Sequence, residues 1–209
     1  MTTLKQISDK IAINFESQKI ITQDKVSIYS YGVELVLSAF IGLSGVLVIA
    51  AILNDLPECL MFLLAFIPLR LWAGGYHAES HLTCFLCFGF MYMCSYSLSL
   101  VIPMCYLSFT IIGTSLISTL IIILFAPVAH PNKRLTAEKT ERNRRRSLMF
   151  TVAILVFASL VITYRAVIPT WIFRFFLGEF FAVSSLVAGM IKNNRRNTNE
   201  KNQSGHAQI

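Results

Sequence analysis

Apolar runs of about 20 residues alternate with short polar stretches along most of the chain. Five of these runs are clear, and they cover residues 33–53, 82–102, 106–126, 148–168 and 170–191. A helix of about 20 apolar residues is long enough to cross the ~30 Å hydrocarbon core of a bilayer. The pattern therefore predicts an all-α fold, in the form of a polytopic integral membrane helical bundle.

A sixth run, over residues 57–71, is short for a membrane span. It reaches about 20 residues only if its helix continues through Arg70 towards His77. The long Arg70 side chain would then lie along apolar surface and place its guanidinium among the lipid headgroups. We therefore expect a span over 57–76, which brings the total to about six transmembrane helices.

The distribution of cations supports this sixth span. If 57–76 crosses the membrane, the amino terminus, the polar loop 127–147 and the carboxyl-terminal tail lie on one side, together with most of the Lys and Arg residues. If it does not cross, the cation-rich loop lies outside, against the excess of Lys and Arg that cytoplasmic loops carry. We expect a multi-pass protein of the cell membrane with both termini at the cytoplasmic face.

Composition agrees with this interpretation. The chain has 209 residues, 55% of them hydrophobic and 14% charged, which excludes an ordinary soluble domain. Its net charge of +7 does not indicate nucleic-acid binding, because the cations lie between the apolar runs and at the ends; the lipid bilayer is the expected partner. We divide the chain into an interfacial segment (1–32), a six-span membrane domain (33–191) and a cytoplasmic polar tail (192–209).

The first segment is predicted to form an amphipathic helix. Leu4, Ile7, Ile11 and Phe15 recur at helical spacing, opposite polar residues, as in helices that lie in the membrane interface. A surface helix packed on the bundle is the alternative. No short apolar core with a small-residue cleavage site follows the start, so this is not a signal peptide.

The five cysteines do not predict a disulfide framework, which belongs to small secreted chains with paired cysteines. Cys59 and Cys105 both lie near the expected outer face, where they would be able to pair. Buried free thiols are the other interpretation.

The stretch from Arg70 to Cys87 contains an arginine, two adjacent glycines, two histidines, a glutamate and two cysteines. Polar groups at a membrane are costly to keep, so this cluster indicates chemistry or transport. On one continuous helix, His77 and Cys84 would stand ~10 Å apart along the axis, so direct pairing requires a break in the helix. A thiol paired with an imidazole is the usual source of a thiolate nucleophile, which predicts a cysteine-type peptidase.

Other interpretations of the cluster stay open from the residues alone. His81 lies three residues before Cys84 and is a rival base. His77, His81 and Cys84, with Cys87 next along the helix, are ligand types that suit zinc. The histidines also suit a structural role at the interface, and six spans suit a small transporter or peptide exporter without protease activity, although no internal repeat is visible.

A family resemblance favours the peptidase. Arg70, the block Ala73-Gly-Gly-Tyr-His-Ala78 and Cys84 are similar to the signature of the accessory gene regulator B (AgrB) family, as is Ala126-Pro127 before a Lys-bearing loop. Such proteins are membrane endopeptidases of Gram-positive bacteria that process an AgrD-like propeptide into a cyclic thiolactone or lactone for quorum sensing. The resemblance implies His77 as base and Cys84 as nucleophile at the cytoplasmic face, with no cofactor, no metal and His81 as a mere neighbour. It also implies a homodimer.

Four further residues are candidates for orienting or substrate-binding roles. Glu34 begins the first predicted span, at the expected depth of His77, and would orient its imidazole or receive a substrate group; a solvated carboxylate at a helix start is the alternative. Arg70 would hold a carboxylate or a phospholipid headgroup. Gly74 and Gly75 would supply flexibility and let the substrate backbone approach.

Two more features have both a functional and a plainer interpretation. Glu179 lies deep in the last predicted span, five residues after Arg174, and this spacing suggests an intramembrane pair or a substrate contact. The arginine-rich run 142–146 would attract an acidic propeptide tail, or would fix the topology by lying on anionic lipid.

Overall fold

A computed structural model of the chain describes residues 3–75, 81–128, 136–164 and 168–206. Every regular element in these ranges is helical, which confirms the all-α prediction. The α-helices are α1 (Thr3–Ser17), α2 (Val26–Ile52), α3 (Leu56–Trp72), α4 (His81–Val101), α5 (Leu107–Phe125), α6 (Ala137–Tyr164) and α7 (Thr170–His206). Short 3₁₀ turns, Gln23–Lys25 and Met104–Tyr106, lead into α2 and α5.

Five helical segments of the described chain are long and apolar enough to cross a membrane. They are Gln23–Ile52, Leu82–Val101, Met104–Phe125, Ala137–Tyr164 and Thr170–Arg195, and each contains most or all of one clear apolar run. The protein is therefore a multi-pass membrane protein.

The doubtful sixth run forms α3, a helix of 17 residues. At 1.5 Å per residue it measures about 25 Å, slightly less than the hydrocarbon core. It ends at Trp72, four residues short of the predicted 76, because Gly74 and Gly75 adopt positive φ angles of 86° and 153° that interrupt the helix.

The helices form two compact units. In the first, which comprises α1, α2 and α4 as far as Phe90, α1 packs against α2 through its small residues Ser8 and Ala12, both fully buried. The Ser30 hydroxyl of α2 donates a hydrogen bond to Asp9. Ile7 of the predicted apolar stripe stays exposed, so α1 is packed on a neighbouring helix and still presents apolar surface.

In the second unit, which comprises α3, α4 from Met91 onward, α5, α6 and α7, helices α3 and α7 run parallel. Asp55, just before α3, contacts Arg174; Phe62, further along α3, contacts Gly178. Arg70, near the end of α3, contacts Ser185. Contacts with α7 therefore extend from the start of α3 to its end, although α3 is short. The sixth crossing of the membrane stays a prediction.

Helix α5 runs in this direction as well. Ser115, near its middle, contacts Glu179 of α7, and the backbone N–H of Val128, just beyond its end, donates to the Ala73 carbonyl at the end of α3. The carboxyl-terminal ends of α3 and α5 therefore meet.

The division of the chain into an interfacial segment (1–32), a membrane domain (33–191) and a polar tail (192–209) stays a prediction.

Helix α7 lies at the centre of the second unit. It is the most enclosed of the five candidate spans, with 72% of its apolar window buried, whereas the other four have a third or less. Close approach to α3 depends on Gly178, where a side chain would overlap the Phe62 backbone. One cluster of buried apolar residues around it comprises Ala65, Leu107, Ile111, Ile154, Ala158, Val161, Ile168, Ile172, Phe173, Phe175, Phe176 and Leu177.

Two segments that we expected to be polar loop and tail are in part helical. Helix α6 begins at Ala137, so the run 142–146 forms its first turns, and α7 continues to His206. Polar residues with good helix propensity extend a helix beyond the hydrocarbon core. The pattern of apolar residues does not predict this extension.

Candidate functional site

The expected site residues are divided between the two units. Glu34 and Cys84 belong to the first unit, and Arg70, Gly74 and Gly75 to the second. His77 lies outside the described residues, so its pairing with Cys84 stays a prediction, and so does the zinc alternative.

Cys84 is a free thiol in the first turns of α4, about half-buried. Within the first unit, two aromatic rings hold this part of α4 against α2, because they fill the space beside glycines of α2. Phe85 occupies the place that a side chain on Gly45 would take, and Phe88 lies against Gly42. Cys84 is therefore held on a packed helix, and its side chain is not fully buried.

Neighbouring thiols provide useful comparisons. Cys87 is also free and half-buried, one turn further along α4. Cys59 is buried and Cys105 is exposed, and both are free, so the suggested pairing of these two is wrong. All five cysteines are free, as the other interpretation expected, but only Cys59 is buried.

The Gly74–Gly75 turn packs against the segment after α5. A Cβ placed on Gly74 would lie 2.5 Å from the Val128 carbonyl oxygen, and the φ of +86° disfavours any other residue. The Val128 N–H donates to the Ala73 carbonyl at 2.9 Å. Two stretches that the sequence singled out separately, the Ala-Gly-Gly block and Ala126-Pro127, thus meet at one end of the second unit.

Arg70 lies across this turn. Its Nη1 donates to the Ser185 hydroxyl of α7 at 3.1 Å, and its guanidinium occupies the space where a side chain on Gly75 would be. Ser185 is buried, and sequence reasoning missed it, because nothing in an apolar run distinguishes it from Ser184 beside it. Arg70 therefore bonds to α7. Its expected binding of a carboxylate or a phospholipid headgroup stays a prediction.

Glu34 lies in the interior of α2, half-buried. Because α2 begins at Val26, two turns earlier than the predicted span, the interpretation as a carboxylate at a helix start is wrong. Its proposed role towards His77 stays a prediction.

A buried ion pair joins α7 to the start of α3. Arg174 is fully buried and pairs with Asp55, which also accepts from the Tyr92 hydroxyl at 2.6 Å. Arg174 further donates to the Ser95 hydroxyl at 3.0 Å and lies over the rings of Tyr92 and Tyr96. Burying a charge away from water requires such compensation.

The suggested pair between Glu179 and Arg174 is therefore wrong. Five residues along a helix place two side chains about 140° apart, so they face different neighbours. Glu179 instead accepts a hydrogen bond from the Ser115 hydroxyl of α5 at 2.9 Å.

The arginines of the run 142–146 are exposed on the first turns of α6, while Ser147 behind them is buried. They form a solvated helix face, and an encounter with an acidic peptide tail stays a prediction.

Comparison with known proteins gives one family. The family model described as "Accessory gene regulator B" matches residues 5–191. Among relatives, AgrB-like protein 2 of Clostridium perfringens (strain 13 / Type A) is 26% identical over 161 residues, which covers 74% of each chain. An AgrB-like protein of Clostridium perfringens (strain SM101 / Type A) is 25% identical over 166 residues, covering 75% of this chain and 74% of its own length. No solved structure matches the chain.

Proposed function

Since the chain belongs to the accessory gene regulator B family, we propose that it is a membrane cysteine endopeptidase for quorum sensing. It cleaves the carboxyl-terminal tail from a small AgrD-like propeptide through a thioester on Cys84 and promotes cyclisation to a thiolactone or lactone. The family match over nearly the whole chain carries this proposal, and the free, only partly buried thiol of Cys84 agrees with it.

In the first step His77 takes the proton from the Cys84 thiol, and the thiolate attacks a propeptide carbonyl. The His77 imidazolium then gives this proton to the leaving nitrogen as the amide bond breaks, so the tail leaves as a free amine and the remaining peptide is held as a thioester. The first turn of a helix carries backbone N–H groups without helical partners, so the start of α4 is suited to stabilise the negatively charged oxygen of this step.

In the second step a thiol or hydroxyl of the bound peptide attacks the thioester and releases Cys84. Attack by a thiol exchanges one thioester for another, so the ring closes at little free-energy cost. Water has to be kept away, because hydrolysis of the thioester would release the peptide as an open chain. Groups held in position reach effective concentrations of roughly 10⁵ M or more, which lets the internal nucleophile outcompete water.

The second unit brings together the residues that we expect to contact the substrate. The Gly74–Gly75 turn is partly exposed backbone without side chains, packed against Val128, and Arg70 beside it presents a cation held by Ser185. We assign Arg70 and the two glycines to substrate binding and Glu34 to orienting His77. No cofactor takes part, and two copies of the chain form a homodimer.

The orientation is part of the proposal. The end of α5 meets the end of α3 at the Gly74–Gly75 turn. The cation-rich segment that leads into α6 follows directly after this end of α5. We place this end, both termini and Cys84 at the cytoplasmic face. A membrane-impermeant maleimide applied to intact cells should then leave Cys84 unlabelled and should label it after the membrane is opened.

The test is coexpression with an AgrD-like propeptide and mass spectrometry of the products. Wild type and His81→Ala should release the tail, whereas Cys84→Ser and His77→Ala should lose at least a hundredfold in rate. Cys87→Ser is the matched control, because Cys87 is a half-buried free thiol on the same helix. Full cleavage by Cys84→Ser would make the peptidase assignment wrong and would favour the transporter alternative.

A further inference from the structure

A second group of polar side chains lies inside the second unit, away from the Gly74–Gly75 turn. Glu179 of α7 is fully buried, and only one of its carboxylate oxygens has a partner, the Ser115 hydroxyl. Ser118 and Thr119 follow on the same face of α5, one turn beyond Ser115, and are also buried.

Three oxygens in this group lack a hydrogen-bond partner among the described residues. They are Oε1 of Glu179, Oγ of Ser118 and Oγ1 of Thr119. Buried polar atoms are nearly always satisfied, and an unsatisfied one destabilises the folded state. Serine and threonine in a helix commonly bond the carbonyl four residues earlier, as Thr114 does here, yet Ser118 and Thr119 do not.

No cation of the protein neutralises Glu179 within the described part of the second unit. Arg174, on the same helix, is engaged by Asp55 and faces another direction. Among the buried side chains described, Arg174 is also the only Lys or Arg. A carboxylate inside a membrane protein is normally paired with a positive charge or neutralised.

We propose that Glu179, Ser115, Ser118 and Thr119 form a binding site for a small monovalent cation between α5 and α7. The group offers one carboxylate and three hydroxyl oxygens, and hard oxygen ligands suit hard cations such as Na⁺. A bound cation would neutralise the carboxylate and satisfy the three unpartnered oxygens together. A single proton on Glu179 would neutralise the charge but would leave hydroxyl oxygens without partners.

Sodium itself is the probe for the test. Purified wild-type protein in detergent should bind radioactive ²²Na⁺, and Na⁺ should raise its Tm above that in choline at equal ionic strength. With a Kd on the order of 10 mM, 150 mM Na⁺ favours the folded state about 16-fold, which corresponds to a few degrees of Tm. No propeptide is present, so the outcome is independent of peptidase activity.

Glu179→Gln should abolish both effects, and Ser118→Ala should weaken Na⁺ binding several-fold. Glu138→Gln is the matched control, because Glu138 is exposed at the start of α6. The proposal is overturned if wild type binds no ²²Na⁺ and melts at the same temperature in Na⁺ and choline. It is equally overturned if Glu179→Gln still binds. Should Glu179→Gln fail to fold, the wild-type result and Ser118→Ala decide.

Discussion

Replacing Asp55 with asparagine should destabilise the protein strongly, because it leaves the fully buried Arg174 without its counter-charge. Removing one partner of a buried pair typically costs about 3–5 kcal/mol. Arg174 would keep the Ser95 hydroxyl and the rings of Tyr92 and Tyr96, and such ring contacts contribute about 0.5–2 kcal/mol each. We therefore expect a loss near the lower end, about 3 kcal/mol, or roughly a 150-fold shift towards unfolding.

The measurement is reversible unfolding in mixed detergent micelles followed by tryptophan fluorescence. The chain has two tryptophans, Trp72 at the end of α3 and Trp171 near the start of α7, so each end of the α3–α7 contact has a reporter. Asp24→Asn, at an exposed carboxylate, is the control and should change stability by less than about 0.5 kcal/mol.

A double variant separates pairing from simple loss of packing. Asp55→Asn combined with Arg174→Met removes both charges, so its loss should fall short of the sum of the two single losses by about 2 kcal/mol or more. The reasoning is refuted if Asp55→Asn unfolds like wild type, or if the two single losses simply add.

Two glycine substitutions test the close contacts of the second unit. Gly75→Ala should slow propeptide cleavage at least several-fold, measured by mass spectrometry, because a φ of +153° is unfavourable for alanine and its Cβ displaces the Arg70 guanidinium. Gly178→Ala should lower the unfolding free energy in the same micelles by about 2 kcal/mol, because its Cβ overlaps the Phe62 backbone. Gly113→Ala, whose Cβ meets no neighbour, is the control for both and should be neutral or slightly stabilising; equal behaviour of all three variants would contradict the packing argument.

The sequence predicts the spans well, because the length of an apolar run is set by the thickness of the bilayer. The end of α3 was predicted less well, because the expected span continued through Gly74 and Gly75 to residue 76, whereas both glycines adopt positive φ and the helix ends at Trp72. The extension of α6 and α7 into polar sequence was not predictable in this way. Outside the hydrocarbon core, a polar helix and a polar loop have similar composition.

The polar partners inside the bundle were the least predictable part. Spacing along the chain suggested that Arg174 and Glu179 pair, but their 140° separation on one helix directs them to α3 and α5 instead. Asp55 lies in a short turn and Ser185 in an apolar run, and no local pattern marks either as a partner of an arginine. These contacts depend on which helices become neighbours, and a single sequence does not reveal that.

Polar contacts of α7 explain how a largely apolar bundle keeps one alignment. Apolar packing is non-directional, so helices that slide by a turn lose little of it. Arg174, Glu179 and Ser185 each bond a defined atom on α3, on α5 or at the turn just before α3. A slide of about 5 Å along either helix would break at least one bond and leave a buried polar group unpaired. Because Ser185 also holds Arg70 against Gly75, the register of α7 fixes the turn that we assign to substrate binding, so weakening the distant Asp55 pair should also lower processing.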